Sequence, residues 1–289
     1  MALAMSMQGQ ARAAQTRINL FSRESRDKTK VGEVRICADP NESGYLSFNI
    51  DAPSAELNRY MRAFSRDLNA DAASVSKAVA SSLRHASKIG IYDFNQPISS
   101  INIYMGDLST WRKSAYGFKS SKVAAFVYRG SMHIRPVYAD HWMVPFHEMG
   151  HVLQLHSRRS LGRNSYPSPA IREGGADLFF ISISTGSQRY NKLSLSDVMR
   201  RYEAQRLATY TMVPLMHNPV LSASEKLDLL FNTRFEEYKG EECHRAGARI
   251  AIASMLVNDF DLGKTVSDFF SVSSGTDLKL LLSKEFRGA

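Results

Sequence analysis

The tightest constraint in the chain is a pair of histidines four residues apart, in the run His147-Glu148-Met149-Gly150-His151. On an α-helix, residues four apart stack on one face, so both imidazoles can reach one metal ion while Glu148 sits beside them. Zinc asks for nitrogen ligands at roughly 2.0–2.1 Å in a tetrahedral arrangement, and one rigid helical turn supplies two of them without a loop having to be ordered. The neighbours Phe146, Met149, Val152, Leu153 and Leu155 make this a mostly apolar helix. Such a helix is suited to a buried site and would be wasted on a solvated surface.

A catalytic zinc uses three protein ligands and keeps its fourth position for water, so a further ligand has to come from elsewhere. Downstream, Ser168-Pro-Ala-Ile-Arg-Glu-Gly-Gly-Ala-Asp177 opens as a helix does, with Ser168 able to cap it and Pro169 at its first position. Glu173 and Asp177 then share one face. Gly174 and Gly175 are costly inside a helix unless it must approach another helix closely, and the motif helix carries a glycine of its own, Gly150.

Glu173, Gly174, Ala176 and Asp177 match the stretch in which the gluzincins, zinc peptidases of the thermolysin and aminopeptidase N type, carry their third ligand. The chain resembles that family over about forty residues. The resemblance implies zinc held by His147, His151 and Glu173, with Asp177 accepting a hydrogen bond from a ligand imidazole. It also implies a two-lobed zincin-like fold. The metzincin pattern is absent: Gln154 and Ser157 stand where that class needs Gly and a third His, leaving His156 one residue out of register. His133, on a presumed edge strand, and His141, before the helix, are not placed by helical spacing to join the ligands.

In this chemistry Glu148 is the general base that takes a proton from water and returns it to the leaving amine. A donor for the oxyanion is still needed. In aminopeptidase-type relatives it is a tyrosine ahead of a long helix. Tyr238-Lys239-Gly240 before 241–257 is similar, but one residue short in spacing, and an aromatic anchoring a helix start explains it equally well. His217 and His244 rank behind it. Ser131-Met-His-Ile-Arg135 lacks the amine-binding glutamate of amino-terminal trimming enzymes, which favours an endopeptidase whose extended polypeptide substrate pairs with an edge strand.

Around these motifs the chain reads as α+β, with a mixed-sheet N-terminal lobe and a mainly helical C-terminal lobe. Residues 1–30 read as a flexible tail, 31–157 as the first lobe ending in the motif helix, and 158–289 as the helical lobe carrying the third ligand. Strands are expected at 31–37 and 45–51 as a hairpin, then at 100–105, 122–128 and 131–135. Helices are expected at 54–68, 71–87, 169–184, 195–212, 224–231, 241–257 and 276–286.

With 289 residues, 44% of them hydrophobic, the chain can bury a sizeable core. No apolar run approaches the length of a membrane span. The two cysteines, Cys37 and Cys243, are far apart and read as free thiols. The formal charge of +9 is carried by scattered residues such as Arg158-Arg159, which reads as a generally basic surface without a specific nucleic-acid partner. The N-terminal residues lack the continuous apolar segment of a secretory signal, so the expected site of synthesis is the cytoplasm, with a specialised leaderless export route as an alternative. Together these features lead to the expectation of a zinc metallopeptidase acting on a selected protein. The rival class is a catalytically idle zincin fold that binds partners through its basic surface.

Overall fold

The computed structural model describes residues 15–24, 27–37, 68–94, 98, 100–105, 123–160, 162, 166–186, 219–231 and 241–286. Within them the chain is mixed α+β and mostly helical. The strands are β1 (Gln15–Glu24), β2 (Asp27–Cys37), β3 (Ser100–Met105), β4 (Ala125–Tyr128) and β5 (Ser131–Ile134). The helices are α1 (Leu68–Lys88), α2 (Val144–Ser160), α3 (Pro169–Gly186), α4 (Ala223–Leu230), α5 (Glu241–Val257), α6 (Leu262–Ser271) and α7 (Gly275–Phe286).

The strands form one sheet in the order β2-β1-β3-β5-β4. β1 and β3 run parallel, as do β3 and β5, while β2 and β4 each pair antiparallel to their neighbour. Two expectations are corrected here. The hairpin partner of the strand at 31–37 is β1, in the stretch expected to be a flexible tail, and β2 itself begins at Asp27. Arg12, Arg17 and Arg23, with no acidic residue among residues 1–23, suit an unstructured tail, although Thr16, Ile18 and Leu20 alternate with polar residues as strands do. The second correction concerns β5, which lies between β3 and β4; the edge strand is β4. The expected strand at 45–51 and the helices at 54–68 and 195–212 fall outside the described residues.

The remaining elements are close to expectation, and local chemistry explains their limits. α1 buries Ala72, Val75, Val79, Leu83 and Ala86, the three-and-four spacing of one helical face. The turn between β4 and β5 takes Arg129 and Gly130 into left-handed backbone, φ 52° and 80°, as a two-residue hairpin turn demands. α6 was not anticipated. It is capped by Asp261, whose side chain accepts a hydrogen bond from the backbone N–H of Lys264 at 2.9 Å, and it buries Val266, Phe269 and Phe270.

α3 lies at the centre of the helical layer and packs on α1, α2, α5 and α6. From Glu173 to Ser184 every residue is buried, including Leu178, Phe179, Phe180 and Ile181 at 0% exposure, so this helix has no solvent face to set its orientation by amphipathicity. α2 packs on α1, α3, α6, β4 and β5. The apolar core runs through both sides of residue 157 without interruption, joining Met149 and Leu153 to Phe179, Ala248, Phe269 and Leu282. Arg158, expected on a basic surface, is fully buried, donating from Nη1 to the carbonyl of Val272 and from Nη2 to Ser273 Oγ, both at 2.9 Å. Cys243 is a buried free thiol. No helix among the described residues is long and apolar enough to cross a membrane.

Candidate metal centre

Glycines determine how three helices meet. A Cβ built on Gly150 of α2 would lie 2.7 Å from the Cα of Ala176 in α3. One on Gly175 would lie 2.8 Å from Gln154 Nε2 of α2, so these two helices touch backbone to backbone or backbone to side chain over one turn. Gly174, expected to serve the same contact, faces the other way. Its Cβ would lie 2.7 Å from the carbonyl oxygen of Gly247 in α5. α3 is therefore clamped between α2 and α5, and its glycines serve both sides.

This clamp brings His147 and His151 of α2, Glu173 and Asp177 of α3, and His244 of α5 to one place. Glu173 Oε2 lies 3.4 Å from His147 Nε2, 3.4 Å from His151 Nε2 and 3.1 Å from His244 Nδ1. The other oxygen, Oε1, accepts a hydrogen bond from Arg172 Nη2 at 3.3 Å, which keeps Oε2 turned toward the imidazoles. The rings of His147 and His151 stand perpendicular, 4.7 Å apart. On the far side of His147, Nδ1 donates to Asp177 Oδ1 at 2.8 Å. That bond makes Nδ1 the donor to Asp177 and turns Nε2 toward Glu173.

The two motif histidines differ in basicity for a visible reason. Burial disfavours the charged form of both. At His147, Asp177, Glu173 and Glu148 outweigh burial and raise the pKa to about 10. At His151, which has no carboxylate on its Nδ1, burial outweighs the pull of Glu173 and lowers the pKa to about 4. Burial would push Glu173 up, but His244, His151 and His147 hold it well below the usual carboxylate range. Glu148, Glu173 and Asp177 are all buried, and Arg172 pairs with Glu173.

Nitrogen and oxygen donors of this kind suit zinc and other first-row divalent metals alike. Glu173 Oε2 is buried and has no hydrogen-bond partner among the described residues, although three imidazole nitrogens face it. In a tetrahedral site with bonds of roughly 2.0–2.1 Å, neighbouring ligand atoms stand roughly 3.3 Å apart. The three nitrogen-to-oxygen distances have that spacing, so the residues fit a metal. The donor atoms of His147, Glu173 and His244 all lie within 4.8 Å of one another.

Three other histidines among the described residues are occupied elsewhere. His133 is buried on an inner strand, stacked between Tyr104 at 4.7 Å and Phe126 at 4.6 Å. His141 Nδ1 accepts from the backbone N–H groups of Met143 and Val144 at 3.3 Å, capping the start of α2. His156 packs against Tyr92. Tyr238 and His217 lie outside the described residues. His244 was ranked low as an oxyanion donor, and its place beside Glu173 was not foreseen. The available signal was the run Ala246-Gly247-Ala248 just after it, small residues that mark a close helix crossing.

Comparison with family models, with curated proteins and with solved structures returned no match, so the case for a metal centre rests on this geometry.

Proposed function

We propose that the chain is a zinc-dependent metallopeptidase, an endopeptidase that hydrolyses a selected protein, built on a two-lobed zincin-like, gluzincin-type framework. One observation carries the reading: Glu173, on a second helix, turns a buried oxygen toward both motif imidazoles at 3.4 Å. When bound, zinc supplies a Lewis acid that polarises a carbonyl and brings water toward ionisation at neutral pH.

The chain's own residues do the rest. Asp177 holds His147 in the tautomer that presents Nε2. Arg172 holds the Glu173 carboxylate in its rotamer. Glu148 is adjacent in sequence to His147 and 5% exposed, a carboxylate partly withdrawn from bulk water, as a proton acceptor and donor near neutrality has to be. β4 has β5 on one side and no strand on the other among the described residues, and it packs against α2. An extended polypeptide that paired along β4 would lie beside the motif helix.

Cleavage of a generic unfolded protein by zinc-loaded wild type and by Glu148→Gln tests the proposal. The variant should retain zinc and lose activity by about 10²-fold or more, since general acid-base catalysis contributes on that scale. Equal cleavage by both would refute the role of Glu148. Zinc bound with no cleavage of any polypeptide tried would favour a binding module.

A further inference from the structure

The framework proposed above needs three ligands and an open position, yet three imidazoles surround Glu173. His244 Nδ1 is the nearest of them to Oε2, at 3.1 Å against 3.4 Å for each motif histidine. Three nitrogens at these distances from one oxygen match the ligand–ligand spacing of roughly 3.3 Å expected on the edges of a tetrahedral site that meet at that oxygen, and the donor atoms of His147, Glu173 and His244 also lie within 4.8 Å of one another. The placement of His244 is built into the backbone. Gly247 lies three residues on and so on the same face of α5. A Cβ there would come within 2.7 Å of both the carbonyl of Ala170 and the backbone nitrogen of Gly174, and 3.2 Å from Glu173 Cβ. α5 can sit this close only because position 247 has no side chain, and the crossing holds His244 over the Glu173 carboxylate.

His244 also differs from its companions in exposure. Its side chain is 25% accessible, against 7% for His147, 9% for His151 and 8% for Glu173. Its Nδ1 is buried, so the accessible part is the remainder of the ring, which places His244 at the solvent side of the cluster.

We infer that His244 is a fourth protein ligand, which closes the resting metal centre and is the one ligand that gives way to water and substrate. The inference rests on the metallopeptidase reading for the metal and departs from it in the number of ligands. A centre closed in this way is protected from adventitious chelators and has low basal reactivity until His244 is displaced.

X-ray absorption at the zinc edge, zinc affinity by competition with a chromophoric chelator, and binding of acetohydroxamate test it on the full chain. Wild type should fit three imidazoles, and His244→Ala and His244→Asn should fit two. Both variants should bind zinc at least about tenfold more weakly, since loss of even an outer orienting group costs roughly 10 to 100-fold. They should bind acetohydroxamate more tightly, because no ligand has to leave. Two imidazoles in wild type, with zinc and hydroxamate affinities unchanged in both variants, would overturn the role of His244 and leave the three-ligand centre standing. Failure of wild type to bind zinc at all would overturn both.

Discussion

Asp177, at 0% exposure, accepts a 2.8 Å hydrogen bond from Nδ1 of His147, whose Nε2 faces Glu173. A buried carboxylate on one helix thus sets which nitrogen of a histidine on another is free to bind. The same carboxylate accounts for most of the contrast in basicity between His147 and His151.

Asp177→Asn keeps the shape and removes the charge. Zinc affinity should fall roughly 10 to 100-fold, the usual effect of losing an orienting partner of a ligand histidine. Isothermal titration or chelator competition measures it, and unchanged affinity would reduce Asp177 to a packing residue.

Glu173→Gln should lower zinc retention without unfolding the protein, because neither α2 nor α3 loses an apolar contact. Metal analysis after gel filtration, paired with far-UV circular dichroism, separates the two effects. Full zinc retention with native dichroism would remove Glu173 from the ligand set.

Gly150→Ala adds a methyl group where the nearest atom, at 2.7 Å, is the Cα of Ala176, backbone that cannot rotate away. The expected cost is about 1–3 kcal/mol, the range for overpacking a well-filled interior. A lower urea midpoint at unchanged slope would report it. A stability equal to wild type would mean that the α2–α3 crossing is looser than the structure has it.

His85 gives a pH dependence that is separate from the metal centre. Burial, aided by Lys88, lowers its pKa to about 4, and Nε2 lies 2.7 Å from Ser182 Oγ. Its folded pKa is below the unfolded value of 6.5, so between those values the unfolded chain takes up the proton more readily. Stability from this residue is complete above pH 6.5 and is lost as pH falls toward 4, by up to about 3 kcal/mol at about 1.4 kcal/mol per pKa unit. His85→Gln should flatten the stability curve across that window. An unaltered pH profile in urea melts would contradict the buried neutral histidine.

The sequence revealed most where one residue type could serve only one purpose. The spacing of His147 and His151 points to a helix and a metal together, and Ser168-Pro169 followed by Glu173 and Asp177 places the partner helix within two residues of its observed end. It revealed less where the deciding contact is distant. His244 is 71 residues from Glu173, and the small residues Ala246-Gly247-Ala248 beside it mark a close helix crossing without saying which helix is crossed; the packing at Gly247 brings it to the site. α6 was passed over although Asp261 and the Val266, Phe269, Phe270 spacing mark it. β1 was obscured by its arginines. Arg158 shows the same limit from the other side, since composition assigns arginine to the surface, while in the fold the carbonyl of Val272 and the hydroxyl of Ser273 receive its guanidinium.

That buried guanidinium ties the motif helix to a segment 114 residues later in the chain. If the 272–273 segment opened locally, it would leave a cation in the interior without these acceptors, at a cost of several kcal/mol. The two hydrogen bonds therefore couple opening of that segment to α2, and the expected outcome is that α2 and the α6–α7 segment open as one cooperative unit. In native-state hydrogen exchange their slowest amides should report one common opening free energy, so that the helix carrying His147 and His151 is only as long-lived as a turn more than a hundred residues further along the chain.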